Sequence, residues 1–369
     1  MNDRVVRGHA RFMELEARWR AIAAAGGVRT PYQSFAWLDQ WLRHQGRDLE
    51  PFTLLIQDGT TIAPLGMLRL AGIRVLRLLG TGDSDYADIV STLAPDEAWD
   101  GIAQELARHR SAWDLLHLHS VRDREAILEA LNRHVGLLGY HRPYEVCPLV
   151  PTDRSWEELL AGRGKKLEYE IRRWSRKLES LGEISVTVTG SPVPEPIIAE
   201  LESVERASWK WVSGEAAFRP GAQRDFLEAL LRDPRMEIQL WLLRVSGRLV
   251  GYALVLTGRE RWYYYLPSFR KDYPHAGSYL LARIIQGACN SPCVSLDLLR
   301  GSHAYKYAWT DMTHTVYEIV WPSSLRGCAA AVAYAARWRA AQSSLLRRLR
   351  SRFWNTGDRR ASRGEAAAV

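Results

Sequence analysis

Phe52-Thr-Leu-Leu-Ile56, Asp58-Gly59, Thr61-Ile-Ala-Pro-Leu-Gly-Met-Leu68 reads as a β-run, a two-residue turn and a second β-run. About 185 residues later the chain repeats the pattern with Leu240-Trp-Leu-Leu-Arg-Val245, Ser246-Gly247 and Leu249-Val-Gly-Tyr-Ala-Leu-Val-Leu256. Short apolar runs joined by Asp-Gly or Ser-Gly are hairpin signals, because such turns need residues that tolerate positive φ. A third β-run follows each hairpin after another glycine turn: Ile73–Leu79 after Ala71-Gly72, and Arg261–Leu266 after Thr257-Gly258. Each half then predicts a loop, a helix and one more strand. The helices are expected near Asp96–His109 and Gly277–Ala288, the latter from Leu280, Leu281, Ile284, Ile285 and Ala288 at helical spacing. The strands carry Asp114-Leu-Leu and Asp297-Leu-Leu. The order βββ–α–β therefore occurs twice, and the expected class is α/β (α+β).

Outward from the repeat, Leu167, Ile171, Trp174, Leu178 and Leu181 form one helical stripe that Gly182 is placed to end. Its other faces carry Lys165, Lys166, Arg172, Arg173, Arg176 and Lys177. A loop is expected over 190–196 and a further helix over about Pro196–Trp211. The last segment, Leu325–Trp354, reads as an amphipathic helix outside the repeat, and the residues after Asn355 as a disordered tail.

The chain has 369 residues, 47% hydrophobic and 25% charged, which excludes disorder over most of its length. No apolar stretch approaches a membrane span, and no secretory leader follows Met1, so the expected location is cytoplasmic. Four cysteines make no disulfide framework and no zinc set, so no metal is expected. The net charge of +8 is localised: residues 337–369 hold nine arginines against Asp358 and Glu365. The remainder has 41 basic and 40 acidic residues, which argues against a DNA-binding body. The arginine-rich tail could instead lie on an anionic membrane, placing the protein peripherally at the inner membrane face.

Two stretches could carry chemistry. Tyr273-Pro-His-Ala-Gly277-Ser-Tyr-Leu280 opens directly onto the second helix, and a helix N-terminus suits a pyrophosphate. Asp297 stands inside an apolar run, where an acid must be paired, ligated or neutralised. Arg300, Lys306 or a backbone amide could pair it; alternatively it orients or deprotonates an acceptor. Asp83-Ser-Asp85-Tyr-Ala-Asp88 reads as a turn with an Asp-lined substrate pocket, since it lacks the glycine and terminal glutamate of a calcium loop. His117 and His119 alternate on one strand without a third ligand nearby, and Trp262–Tyr265 reads first as core packing.

Pro274-His-Ala-Gly277-Ser-Tyr-Leu-Leu281, Asp297-Leu-Leu-Arg-Gly301 and Tyr305-Lys306 together resemble the signature block of CelD/BioF2-like acetyltransferases of the GNAT superfamily, relatives of the FemABX aminoacyl transferases. Gly80-Thr-Gly-Asp-Ser-Asp-Tyr86, Trp113-Asp114, Arg172-Arg173 and Ser208-Trp209-Lys210 add to it, over about residues 30–322. Ala276 and Leu298 stand where the family usually has Pro and Phe, and Tyr279 where its pyrophosphate pattern ends in a small residue. The resemblance implies two tandem GNAT-like domains with mixed sheets flanked by helices. The division would be 1–150 as a degenerate copy, 151–322 as the acyltransferase domain and 323–369 as helix and tail. It implies direct acyl transfer from acetyl-CoA or another acyl-CoA to an amine or hydroxyl of a small-molecule, sugar or envelope-precursor acceptor. The implied catalytic residues are Asp297, Lys306 and Tyr305. Gly277, Ser278, Tyr279 and His275 would hold the donor, and Trp209, Lys210, Asp85, Tyr86, Arg172 and Arg173 the acceptor. The alternatives are a FemABX-like transferase that takes its group from aminoacyl-tRNA, and a non-catalytic accessory protein of polysaccharide production.

Overall fold

The computed structural model describes residues 4–56, 59–136 and 138–342. The Asp58 turn position and the expected tail with Leu345, Leu346, Leu349, Phe353 and Trp354 lie outside the described residues. The strands are β1 (Val5–Arg7), β2 (Glu50–Ile56), β3 (Thr61–Ala63), β4 (Leu65–Leu70), β5 (Ile73–Leu78), β6 (Val90–Ser91) and β7 (Leu115–Val121). There follow β8 (Tyr140–Pro151), β9 (Ile184–Thr189), β10 (Ile238–Val245), β11 (Arg248–Thr257), β12 (Arg261–Phe269), β13 (Ser295–Asp297) and β14 (Thr313–Pro322).

The repeat in the sequence is a repeat in the fold. In the first half β2, β4 and β5 precede the helix Pro95–Arg108 and β7; in the second, β10, β11 and β12 precede the helix Ala276–Cys289 and β13. In both, the strand after the helix lies parallel to the third strand of the meander over a very short stretch. Val75 and Leu76 pair with Leu115 and Leu116; Arg261, Trp262 and Tyr263 pair with Ser295, Leu296 and Asp297. Beyond Tyr263 and Asp297 the second pair parts.

One expected strand is two. Pro64 has no N–H to donate, so Thr61–Leu68 breaks there: β3 pairs with β2 and β6, and β4 pairs with β5 and the start of β2. Likewise the expected helix Pro196–Trp211 is a helix Glu195–Arg206 and a separate turn Trp209–Ser213.

The halves share one sheet, in the order β6-β3-β2-β4-β5-β7-β14-β8-β13-β12-β11-β10-β9, with β1 on β2. β14, late in the chain, lies between β7 and β8 of the early part. β8 is long enough to pair with β14 over Tyr140–Pro148 and with β13 over Leu149–Pro151. In the centre of the second half, Leu249 to Leu256 of β11 are all buried, as a strand covered on both faces requires. Tyr252, Leu254 and Leu256 meet Ile198, Leu201 and Val204 of the helix Glu195–Arg206 on one face. Val250, Ala253 and Val255 meet Leu280, Ile284 and Ile285 of the helix Ala276–Cys289 on the other. Each such leucine, isoleucine or valine taken from water contributes about 1.5–3 kcal/mol, and this packing fixes the helix Ala276–Cys289 against the sheet. The described part of the last helix, Leu325–Gln342, lies against β5, β7 and β14. Among the described residues no helix is long and apolar enough to cross a membrane.

Candidate active site between the two halves

Asp297 ends β13 where β12 and β13 part, and it is 0% exposed. Its Oδ1 accepts the Leu299 N–H at 2.8 Å, and its Oδ2 accepts the Tyr86 phenol at 2.7 Å. The same Tyr86 Oη lies 2.7 Å from Nε2 of His314 on β14. Burial pushes the Asp297 carboxyl up to about 6, against the opposing pull of the Tyr86 and Leu299 hydrogen bonds. Burial pushes the Tyr86 phenol far above its ordinary value, with the Asp297 charge adding to the effect. Burial, helped by Arg122 and Arg261, holds His314 down at about 4, so the imidazole is neutral at pH 7.

The turn after Asp297 is held open by force. Leu299 has φ 61, a left-handed conformation that costs a branched side chain energy, and Gly301 has φ 105. Lys306 is buried and points back under this turn, donating to the Leu299 carbonyl at 2.9 Å and the Arg300 carbonyl at 2.7 Å. It therefore braces the turn directly after the Leu299 N–H that bonds Asp297. Replacing Lys306 with methionine is expected to cost about 1.5–3 kcal/mol, read by urea unfolding, because two charge-assisted hydrogen bonds are lost.

The Asp83–Asp88 loop is spent within the protein. Asp83 accepts the Trp41 indole N–H at 2.7 Å. Asp85 accepts Tyr32 Oη at 3.2 Å and Arg300 Nε at 2.5 Å. Asp88 accepts its neighbour Ile89 N–H and pairs with Arg122 and Arg29. Arg300 is thus tied to Asp85 rather than to Asp297. Around Tyr86, the rings of Tyr32, Tyr263 and His314 stand 5.5–6.1 Å away, and Arg122 lies over its face at 5.2 Å.

The residues expected to hold the donor gather at the other end of β12. His275, at φ 70, precedes the helix Ala276–Cys289 and stacks on Trp174 at 6.5 Å. The Ala276 and Tyr279 amides bond Tyr273 O and His275 O, which leaves the Gly277 and Ser278 amides unused among the described residues. A Cβ on Gly277 would sit 2.5 Å from the Phe269 ring of β12, so any larger residue there would have to displace that ring. Tyr279 is buried beneath Arg283. The register of β11 with β12 slips between Leu254↔Leu266 and Val255↔Tyr264, leaving Tyr265 as the extra residue of a bulge. In the first half, β4 and β5 pair without a slip, and the corresponding helix begins with Pro95, Asp96 and Glu97. Two carboxylates at that helix start repel a phosphate.

Tyr305 is exposed and stacks with His303. Trp209 is exposed at the start of its short turn, and Lys210 donates to the Pro267 carbonyl of β12 at 2.5 Å. Arg172 and Arg173 are exposed on the helix Lys165–Glu179, paired with Glu168 and Glu170. That helix packs against Ala276–Cys289. The structure thus brings Asp297, Tyr86 and Asp85 together from both halves and leaves Arg172, Arg173 and Trp209 at the surface.

A cleft of about 840 Å³ runs between the helix Glu16–Ala24 with the loop 26–31 and the β11–β12 turn. Tyr263, Arg122 and Arg261 line it, beside nine residues of that helix and loop. Arg261 donates to Ser295 Oγ and has no carboxylate partner among the described residues. His314, Tyr32 and this cleft were not marked as functional by the sequence. His314 is one residue of a strand whose partner register nothing local specifies.

Residues 165–307 match the model of a family described as an acetyltransferase (GNAT) domain. No curated protein matches the chain in sequence. Its fold is similar to the C-terminal domain of a putative lysylphosphatidylglycerol synthetase from Agrobacterium fabrum, at 16% identity over 89% of this chain and 97% of that one, TM-score 0.58. It is similar to L-PGS from Bacillus licheniformis, at 11% identity over 86% and 95%, TM-score 0.57. FemX has the same fold at 10% identity over 85% and 96%, TM-score 0.54. Residues 165–307 thus match a GNAT acetyltransferase domain, in a chain whose fold is similar to that of FemX.

Proposed function

We propose that the protein transfers an acyl group from acyl-CoA directly to an amine or hydroxyl of a small acceptor, a sugar or an envelope precursor. The observation that carries this reading is the buried Asp297, set where β12 and β13 part and hydrogen-bonded to Tyr86 of the other half. The donor end fits a pyrophosphate-bearing thioester: two free amides at a helix start, where Gly277 packs against the Phe269 ring of β12. The acyl donor supplies an activated carbonyl. The bulge at Tyr265 offers a backbone N–H to the oxygen of that carbonyl as it gains charge. Asp297 is the final resting place of the acceptor's proton. The acceptor enters by the cleft beside Tyr263, where Arg261 favours an acceptor with an anionic group.

Aminoacyl-tRNA is the second donor to consider. Lys165, Lys166, Arg176 and Lys177 have no carboxylate partner among the described residues and lie on the helix packed against the donor helix. Such a strip would bind tRNA phosphates in a salt-sensitive way.

The test is thermal unfolding of the full chain with acetyl-CoA, free CoA and ATP as control. At 100 times its dissociation constant a ligand stabilises by about 2.7 kcal/mol, a rise in Tm of a few degrees at this size. A rise with acetyl-CoA and CoA is expected, and Gly277→Val should abolish it, because the added methyls force the helix start off Phe269. No rise at millimolar CoA, with a rise for aminoacyl-tRNA, would move the donor assignment to tRNA.

A further inference from the structure

Asp297 is completely enclosed, so no acceptor can touch it. A proton can reach it only through a hydrogen-bonded partner. Oδ1 is filled by the Leu299 amide, which carries a proton that amides do not give up. Oδ2 is filled by Tyr86, and Tyr86 leads to His314. The His314 side chain is 26% exposed, the one member of the three that meets solvent. Arg122 and Arg261, which both line the cleft between the halves, stand close enough to His314 to act on its charge.

The hydrogen inventory fixes the tautomer. A phenol has one proton to donate. Tyr86 donates it to Asp297, so the contact with Nε2 at 2.7 Å requires His314 to be the donor there. His314 is then the Nε2–H form, and Nδ1 carries the lone pair. Nδ1 has no hydrogen-bond partner among the described residues.

We propose that His314 is the general base that touches the acceptor, and that Tyr86 and Asp297 carry its proton onward as a relay. The assignment rests on the acyl-transfer reading above. The acceptor's N–H or O–H bond breaks and its proton goes to Nδ1. Nε2–H passes to Tyr86 Oη, and the Tyr86 proton passes to Asp297 Oδ2. The acceptor's electron pair forms the bond to the acyl carbon, and the bond from that carbon to the donor's sulfur breaks with its pair. The proton returns along the same path to the thiolate or to water, which restores the starting tautomer. No station gains a charge: His314 and Tyr86 begin and end neutral, and Asp297 begins as a carboxylate and ends neutral. An attacking amine becomes acidic as it bonds to the carbonyl, so a carboxylate that protonates at about 6 suffices to accept its proton. The charged and titratable groups facing His314 are Tyr86, Asp297 on β13, Cys147 opposite on β8, Arg122 after β7 and Arg261 on β12. The two arginines disfavour the imidazolium, so His314 passes its proton on rather than keeping it.

Two measurements on the full chain test this. In the first, nitrogen-15 spectra of labelled histidine, assigned with His314→Gln, should show His314 as the neutral Nε2–H tautomer from pH 5 to pH 8. A cation or the Nδ1–H form at pH 7 overturns the relay. The second follows thiol release from acetyl-CoA with hydroxylamine as acceptor. His314→Ala should lose about 10²–10³-fold in kcat with the KM for acetyl-CoA within twofold. Free imidazole should restore at least tenfold of that, and should restore nothing when Asp297→Asn is added. A purely structural histidine would not be rescued in this way. An His314→Ala variant within threefold of wild type, or a folded variant that imidazole does not restore, overturns the assignment. Wild-type protein that cleaves neither acetyl-CoA nor bulk aminoacyl-tRNA would instead sink the acyl-transfer reading, and the catalytic role of His314 with it.

Discussion

Asp297→Asn is expected to lower kcat by about 10²–10⁴-fold and leave the protein folded, the span that a positioned proton acceptor contributes. Asparagine keeps the size of the side chain and can still accept the Leu299 N–H. It cannot take a proton. Its NH₂ would also confront the Tyr86 phenol, so the phenolic proton turns toward His314 and the relay runs the wrong way. The pH dependence gives a second signature. The carboxyl protonates at about 6 in the folded protein and near its ordinary value of 3.8 when unfolded. An acid raised in the folded state stabilises it below the unfolded value and loses that contribution as pH rises through the folded one. Relative to wild type, the asparagine variant should therefore gain stability between about pH 4 and pH 6 and keep the gain above. Wild-type kcat/KM should fall below about pH 6, where Asp297 is already protonated. An asparagine variant within tenfold of wild type, with the same acid limb, would show that the proton ends elsewhere.

The sequence made Asp297 visible for a local reason: an acid in the apolar run Val294–Leu299 has to be explained. The hairpins were visible for the same kind of reason, since Gly and alternating apolar residues act over two to eight residues. The helices expected near Asp96–His109 and Gly277–Ala288 lie at Pro95–Arg108 and Ala276–Cys289, because apolar spacing sets them. What local pattern does not encode is which strands become neighbours. The placement of β14 between β7 and β8 is decided by packing across the whole chain, and it is this placement that brings His314 to Tyr86, 228 positions away in sequence. Tyr86 and Asp297 were both singled out from the sequence, but their contact spans 211 positions and could not be read from either neighbourhood. Pro64 is a smaller case. The proline was in view, yet the run around it is apolar enough to pass for one strand.

Arg300→Met is expected to cost about 3–5 kcal/mol in unfolding free energy, the largest stability effect of any single change near the site. Arg300 and Asp85 meet at 2.5 Å with side chains only 19% and 14% exposed, one from each half. Arg300 also donates to Ser120 Oγ and lies over the Tyr144 ring, and Tyr32 donates to Asp85. Removing the guanidinium strands a buried carboxylate with one phenol for company; Asp85→Asn strands a buried cation with one hydroxyl. Each single change therefore costs more than the pair itself contributes. The double variant should cost less than the sum of the singles by about 1–3 kcal/mol, a coupling read from urea unfolding of the four proteins. Activity should fall as well, since Asp85 precedes Tyr86 and a displacement of about 1 Å in a reacting group can cost about 10²-fold. Additive costs within about 0.5 kcal/mol would mean that the two charges do not feel each other. The registry between the halves would then rest on the shared strands β8 and β14 and on the other contacts across the halves, such as Arg235 with Asp39 and Gln40 with Asp233. Coupling of the expected size means that the polar contact which holds the halves in register also aims the relay, so the first half is part of the active site even though its own ligand helix begins with Pro95, Asp96 and Glu97.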